Sequence, residues 1–157
     1  MPTAENTVVI ENARIVFRNF AGKEDMYNRQ GDRNFCVLLD PVVAQQMSED
    51  GWNIKTLKSK EEGVDDQPYI QVSVAFKGKP PRMVMISSQG RTEIDESACE
   101  MFDWVDIKVA DLVIRPYEWV VNGKSGVKAY LKSLFLTIDE DELDRKYADV
   151  PVNHGPA

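Results

Sequence analysis

Arg115-Pro116-Tyr117-Glu118-Trp119-Val120-Val121-Asn122-Gly123-Lys124-Ser125-Gly126-Val127-Lys128-Ala129-Tyr130-Leu131-Lys132 is the stretch whose reading decides the fold. It reads as an antiparallel hairpin: two runs of β-branched and aromatic residues around Asn-Gly, the pair that favours a two-residue type I′ turn. Side chains two apart on a strand share a face. One arm therefore presents Arg115, Tyr117 and Trp119 together, and the other presents Lys128, Tyr130 and Lys132. Loop parity decides whether these faces coincide. A loop with an even number of residues puts all six on one surface, whereas an odd loop sends them to opposite faces. The Asn122-Gly123 signal predicts an even loop.

Rings interleaved with cations on one face suit single-stranded nucleic acid, because bases stack on rings and phosphates meet cations. Aromatic residues also favour strands for cross-strand packing alone. The cations separate the two readings, since a face carrying Lys128 and Lys132 is costly to bury without partners.

The wider chain agrees with a small β domain. At 157 residues it has room for one domain with a real core. Its hydrophobic share of 43% and charged share of 29% are ordinary for a globular protein. The formal net charge of −7 argues against binding by bulk charge, but the acids are unevenly spread. Lys77, Lys79, Arg82 and Arg91 lie in a stretch without acids, and positions 108–132 hold five cations against two acids. Glu93 to Asp106, by contrast, holds six acids and no base. An acidic chain with two basic islands can still offer a local basic groove. Lys124 and the cluster Lys77, Lys79, Arg82 and Arg91 are thus candidate extensions of the hairpin surface. Lys23, Arg29 and Arg33 are weaker ones, in a polar loop with Tyr27.

Val8 to Phe20 reads as strand with a kink near Glu11-Asn12, in which Ile15 and Phe17 alternate with Arg14, Val16 and Arg18. Ala21 to Arg33 reads as loop and Asn34 to Leu39 as strand. Asp40-Pro41 predicts a helix start, and Gly51 its stop. Lys55 to Gln67 reads as a mobile loop. Tyr69 to Phe76 alternates, with Ile70, Val72, Val74 and Phe76 inward. Gly78 to Pro81 reads as a turn and Met83 to Ser87 as strand. Asp95 is placed to cap a short helix through Phe102. Val105 to Val121, bent near Asp111, pairs with Val127 to Ile138. Short strands with helices only in connections predict a mainly β chain: an OB-fold-like, five-stranded antiparallel barrel with one or two short inserted helices. A β-sandwich is the alternative. The domain is expected over residues 1–138, followed by a flexible tail over 139–157, acidic and then containing Pro and Gly.

Signals for catalysis are weak. The single histidine, His154, falls in the tail, and Cys36 and Cys99 have no metal-ligand spacing. Asp139-Glu140-Asp141-Glu142 lacks the pattern of a calcium loop. No enzyme activity, metal or cofactor is expected. The alternative of a magnesium-dependent hydrolase or nuclease needs acids converging in a cleft, and no motif supplies them. Both cysteines lie in apolar segments and read as buried thiols rather than a disulfide, which suits a reducing compartment. No apolar run is long enough for a membrane span. The N-terminus shows no signal-peptide pattern, so a cytoplasmic location is expected.

Across positions 12–138 the chain resembles phage-type single-stranded DNA-binding proteins with an OB fold. The residues carrying the resemblance are Ala13-Arg14-Ile15-Val16-Phe17, the block from Met47 to Lys55, Val113-Ile114-Arg115-Pro116-Tyr117-Glu118-Trp119, and Gly126-Val127-Lys128-Ala129-Tyr130-Leu131. The resemblance implies coating of single-stranded DNA during phage replication, recombination or repair, in the cytoplasm of the infected cell. It also implies an acidic tail that recruits replication or recombination proteins and competes with DNA for the groove, and it is compatible with a homo-oligomer. Such tails often end in acids with a terminal aromatic. This chain departs from that pattern, ending in the uncharged Val150 to Ala157 apart from His154. The other reading is a protein-interaction or phage assembly module without nucleic-acid binding, its aromatics forming an interface.

Overall fold

Two fifteen-residue strands, β8 (Ile107–Val121) and β9 (Lys124–Ile138), form the axis of the fold. The computed structural model describes residues 7–26 and 28–141, with Leu143, Lys146, Tyr147 and Val150 beyond them. Val121 pairs with Lys124, so the hairpin closes through Asn122-Gly123 alone. Both turn residues have positive φ, 51° and 78°, as a type I′ turn requires. The even loop is therefore present. The kink expected near Asp111 takes the form of two register shifts, between Ile107 and Val109 and between Val113 and Ile114. At the second, Ile114 pairs with Leu131 but Val113 pairs with Ser133, leaving Lys132 as the extra residue of a bulge. The bulge resets the alternation, so that both Leu131 and Leu134 are buried although three residues apart.

The remaining strands build outward from this ribbon. β1 (Val8–Ile10) pairs antiparallel with β8. The other edge of β9 takes two parallel neighbours in succession. β5 (Gln67–Val74) meets it at Val72↔Ala129 and Ser73↔Tyr130, and β6 (Arg82–Ser87) meets it from Arg82↔Ser133 to Ile86↔Thr137. β3 (Arg33–Leu38) pairs with β5, and β2 (Arg14–Asn19) pairs with β3, both antiparallel. β4 (Ile54–Leu57) lies along β5, and β7 (Gly90–Ile94) along β6. The order β1-β8-β9-β5-β3-β2 is one open, mixed, OB-like sheet. It differs from the expected barrel in three ways: nine strands among the described residues rather than five, two parallel pairings, and ends that do not close. It is also one sheet rather than the two facing layers of a sandwich. The N-terminal strand breaks at Asn12 (φ 52°), whose N–H is held by the Asp111 carboxylate at 2.9 Å.

Two local expectations fail for identifiable reasons. The 3₁₀ helix Cys99–Asp103 begins at Ala98, not at Asp95. Asp95 instead anchors the turn ahead of it, taking the Ser97 hydroxyl on its carboxylate at 2.6 Å and the Ala98 N–H on its carbonyl at 3.2 Å. Phe17 leaves the inward row of Ile15. One extra residue between the pairs Val16↔Cys36 and Asn19↔Asn34 makes a second bulge, and Phe17, at φ 51°, is 60% exposed.

Helix α1 (Pro41–Glu49) follows its sequence signals. Asp40 accepts the Val42 N–H at 2.8 Å, and the chain leaves the helix at Gly51, φ 94°. Ala44 and Met47 face the core. The core centres on the Phe20 ring, stacked 5.1 Å from Phe35 and edge-on 5.4 Å from Phe102. Ile70, Val72, Leu112, Ile114, Leu131, Leu134 and Leu136 belong to the same buried cluster. Each such side chain contributes about 1.5–3 kcal/mol by leaving water. Cys36 and Cys99 are free and buried, and burial pushes both thiols above their usual pKa.

Residues 1–6 and most of the expected tail, His154 included, lie outside the described residues. Within the described part, the Asp139 N–H donates to Asp106 O at 2.7 Å, and the Ser88 hydroxyl donates to Glu140 at 2.6 Å. No helix among the described residues is long and apolar enough to cross a membrane.

Candidate nucleic-acid interface

Because the core takes Val127, Ala129 and Leu131, the hairpin's other face carries the rings and cations. The pairings Arg115↔Tyr130, Tyr117↔Lys128 and Trp119↔Gly126 place all of them on one surface. Tyr130 is its centre. The Arg115 guanidinium lies 5.0 Å from its ring centroid, the Lys128 ammonium 5.2 Å, and Tyr117 meets it edge-on at 5.6 Å. The sequence put Lys132 on the far side of this ring. The structure gives that neighbour role to Arg115 and leaves Lys132 exposed in the bulge. Lys124 is exposed where the strand leaves the turn.

Trp119 is set by its partner across the ladder. A Cβ built on Gly126 would fall 2.7 Å from Trp119 Cζ2, closer than real contacts allow. Glycine at this position lets the indole lie directly over the neighbouring strand. Such cover for a strand glycine stabilises the pair as well as fixing the ring.

Beside this face runs a groove of about 980 Å³. Its floor continues the outward rows of β9 and β5: Tyr130, Lys128, Ser73 and Gln71. Trp119 and Asn53 stand at one side, and Phe76 and Lys77 at another. Residues 24–26 and 28–34 form a wall, organised by Asn28. Its amide donates to the carbonyls of Lys23 (2.9 Å), Arg29 (3.0 Å) and Asp32 (2.9 Å), and its oxygen accepts from Asn34 at 2.8 Å. Arg33 on this wall lies over Phe76 at 5.9 Å. Glu24, Asp25, Asp32 and Glu96 also reach the groove, so its charge is mixed; its cations are Arg29, Arg33, Lys77 and Lys128, of which Arg29 is paired with Asp32 at 3.6 Å.

The sequence candidates thus divide. Lys77, Trp119, Lys128 and Tyr130 line the groove, as do Arg29 and Arg33 of the weaker set, and Arg115, Tyr117 and Lys124 share the hairpin face beside it. Lys79 is exposed in the bend after Lys77 and is not part of the lining. Arg82 and Arg91 belong to a separate cluster on β6 and β7. Both guanidinium groups lie over Phe135, at 5.3 and 5.6 Å, and Arg82 is ion-paired with Glu93 at 2.9 Å. Gln71, Ser73, Asn28 and Phe76 were not singled out from sequence. Gln71 and Ser73 had a signal, the outward parity of the alternating β5 run. Phe76, assigned inward, lies beyond the end of β5 and, half-buried, packs against the core while also lining the groove. Asn28 had no local signal, because its partners are fixed only once the loop is folded.

Among the described residues no group of three or more His, Cys, Asp or Glu is placed to hold a metal ion.

A family model of a phage ssDNA-binding domain matches residues 3–155. No curated protein matches the chain in sequence. Among solved structures, the chain is similar to the single-stranded DNA-binding protein from bacteriophage Enc34, with TM-score 0.57, 12% identity, and coverage of 87% of this chain and 83% of that one. The same phage protein in complex with ssDNA gives TM-score 0.58 at 11% identity, covering 87% and 89%. A C-terminal truncation of it gives 0.53 at 13% identity, covering 90% and 96%. At these identities the likeness establishes the shared fold.

Proposed function

We propose that this chain, which belongs to the family of phage ssDNA-binding domains, binds single-stranded DNA with little sequence preference through the outward β8–β9 face and the adjoining groove. The observation that carries this reading is the Tyr130 cluster at the groove floor, where one ring is flanked by Arg115 and Lys128 and met edge-on by Tyr117. Tyr117, Trp119 and Tyr130 offer π-faces that any base can stack on, worth about 1–3 kcal/mol per base. Arg115, Lys124, Lys128, Lys132 and Lys77 meet phosphates, with Lys79, Arg82 and Arg91 as outlying contacts. Structural likeness to a phage protein solved with ssDNA supports the same reading. No catalytic step is assigned. The role that membership of this family suggests is protecting transiently exposed single strands during phage DNA replication, recombination or repair, in the cytoplasm of the infected cell. The acidic segment after Ile138 is a candidate contact for replication or recombination proteins.

The test is a fluorescence-anisotropy titration of the protein into labelled oligo-dT at several salt concentrations, with duplex DNA as competitor. The expected result is binding at low salt that weakens steeply as salt rises, because each neutralised phosphate releases counterions. Duplex should compete poorly. No binding at low salt, or a preference for duplex, would refute the reading.

A further inference from the structure

The outward face of the sheet carries a second pair of aromatic rings, one exposed and one half-buried, that the hairpin reading does not use. Phe17 is 60% exposed and packs edge-on against Tyr69, with ring centroids 6.3 Å apart. The pair arises from a local departure. Alternation along β2 would send Phe17 inward with Ile15, but the bulge after Val16 turns it out at φ 51°. A bulky side chain at positive φ is a genuine outlier, and bulges that re-aim a side chain cluster beside functional sites.

The surroundings repeat the composition of the hairpin face. Tyr69 pairs with Leu38 on one side and Lys55 on the other, and Leu38 pairs with Arg14. Arg14, Leu38, Tyr69 and Lys55 therefore form one outward row with a cation at each end. Lys55 Nζ also donates to the Gln71 side chain at 3.2 Å. Gln71 lines the groove and is the next outward residue from Tyr69 along β5, and the one after it, Ser73, pairs with Tyr130. The groove floor thus leads from Tyr130 through Ser73 and Gln71 to Tyr69. Four residues of strand cover about 13 Å.

We propose that Phe17 and Tyr69, with Lys55 and Arg14, form a second base-stacking station on the same bound single strand, which crosses the sheet along the outward face of β5 rather than staying on the hairpin. This rests on the single-stranded DNA reading of the groove. Continuity with the groove selects the occupant, as do the two cations at the ends of the row, which match a phosphate backbone. Phe17 is then a binding residue and not an incidental surface ring.

The experiment compares labelled oligo-dT binding by the wild-type chain, Tyr130→Ala, Phe17→Ala, Phe17→Tyr and Lys55→Gln, with thermal melting to confirm folding. Phe17→Ala should weaken binding about 5- to 150-fold, the factor for one lost stacked base. Phe17→Tyr, which keeps a ring, should bind as the wild type does. Lys55→Gln should lower the salt slope of log affinity by about 0.7, one phosphate contact on a single strand. As a direct readout, oligonucleotides carrying 5-iododeoxyuridine should photo-crosslink to Phe17 or Tyr69. If the wild type binds and Tyr130→Ala weakens binding, but Phe17→Ala and Lys55→Gln match the wild type, the second station is overturned while the hairpin reading stands. If the wild type does not bind oligo-dT, both fall together.

Discussion

The two basic islands of this acidic chain have different fates. On the β8–β9 hairpin, Arg115 and Lys128 lie against Tyr130 on the floor of a groove. On β6–β7, Arg82 and Arg91 cover Phe135, and Arg82 is bound to Glu93. In sequence the second island looks the purer of the two, since no acid lies between Lys77 and Arg91. Glu93, two residues past Arg91, supplies the counter-charge across the β6–β7 ladder. Exposed ion pairs of this kind are worth only about 0–1 kcal/mol, so the pairing does not forbid a phosphate contact but does dilute it. Charge counting along a chain therefore ranks basic patches poorly until pairing is known.

The contrast can be broken by substitution. The largest effect is expected from Tyr130→Ala, which removes the central ring: a loss of about 1–3 kcal/mol in oligo-dT affinity, read by anisotropy. If β6–β7 were the main site, this variant would bind normally. Gly126→Ala comes next. Its methyl group must displace the Trp119 indole, so Trp119 emission should shift and oligo-dT affinity fall several-fold. The melting temperature should also drop, reflecting overpacking of about 1–3 kcal/mol. An unchanged spectrum would show that the indole moves at no cost. Lys128→Gln should then reduce the salt slope by about 0.7, whereas Arg82→Gln should reduce it by less, because Glu93 already competes for that guanidinium. Equal slopes would erase the distinction between the islands. Smallest for binding is Asp40→Ala, far in role from either island. It should cost about 1 kcal/mol of stability through loss of the α1 cap, measured by urea unfolding, and leave DNA affinity unchanged.

The hairpin's turn type, parity and ring-bearing face were legible because they follow from local chemistry: Asn122-Gly123 and two-residue alternation. Helix α1 was legible for the same reason, through Asp40, Pro41 and Gly51. The parallel contacts of β9 with β5 and β6 were not, since nothing local in Ser73 or Arg82 specifies a partner more than fifty residues away. β4 and β7 were missed because they are short and mostly solvent-facing, with Ile94 the single buried residue of β7. The outward turn of Phe17 was hidden by its own pattern, which alternates correctly until the bulge. The groove was half legible. Its floor follows strand parity, but its wall depends on Asn28 gathering carbonyls from a loop that carries no periodic signal.

The most direct test of the hairpin face as the DNA-binding surface is quenching of tryptophan fluorescence by oligo-dT, compared between the wild type and Trp119→Phe. Trp52 is buried, while Trp104 is exposed against Lys23 and is not part of the groove lining. Stacking at the hairpin predicts a salt-reversible quench in the wild type that is largely lost in Trp119→Phe. A quench of full size in that variant would place the bound strand elsewhere and contradict the account.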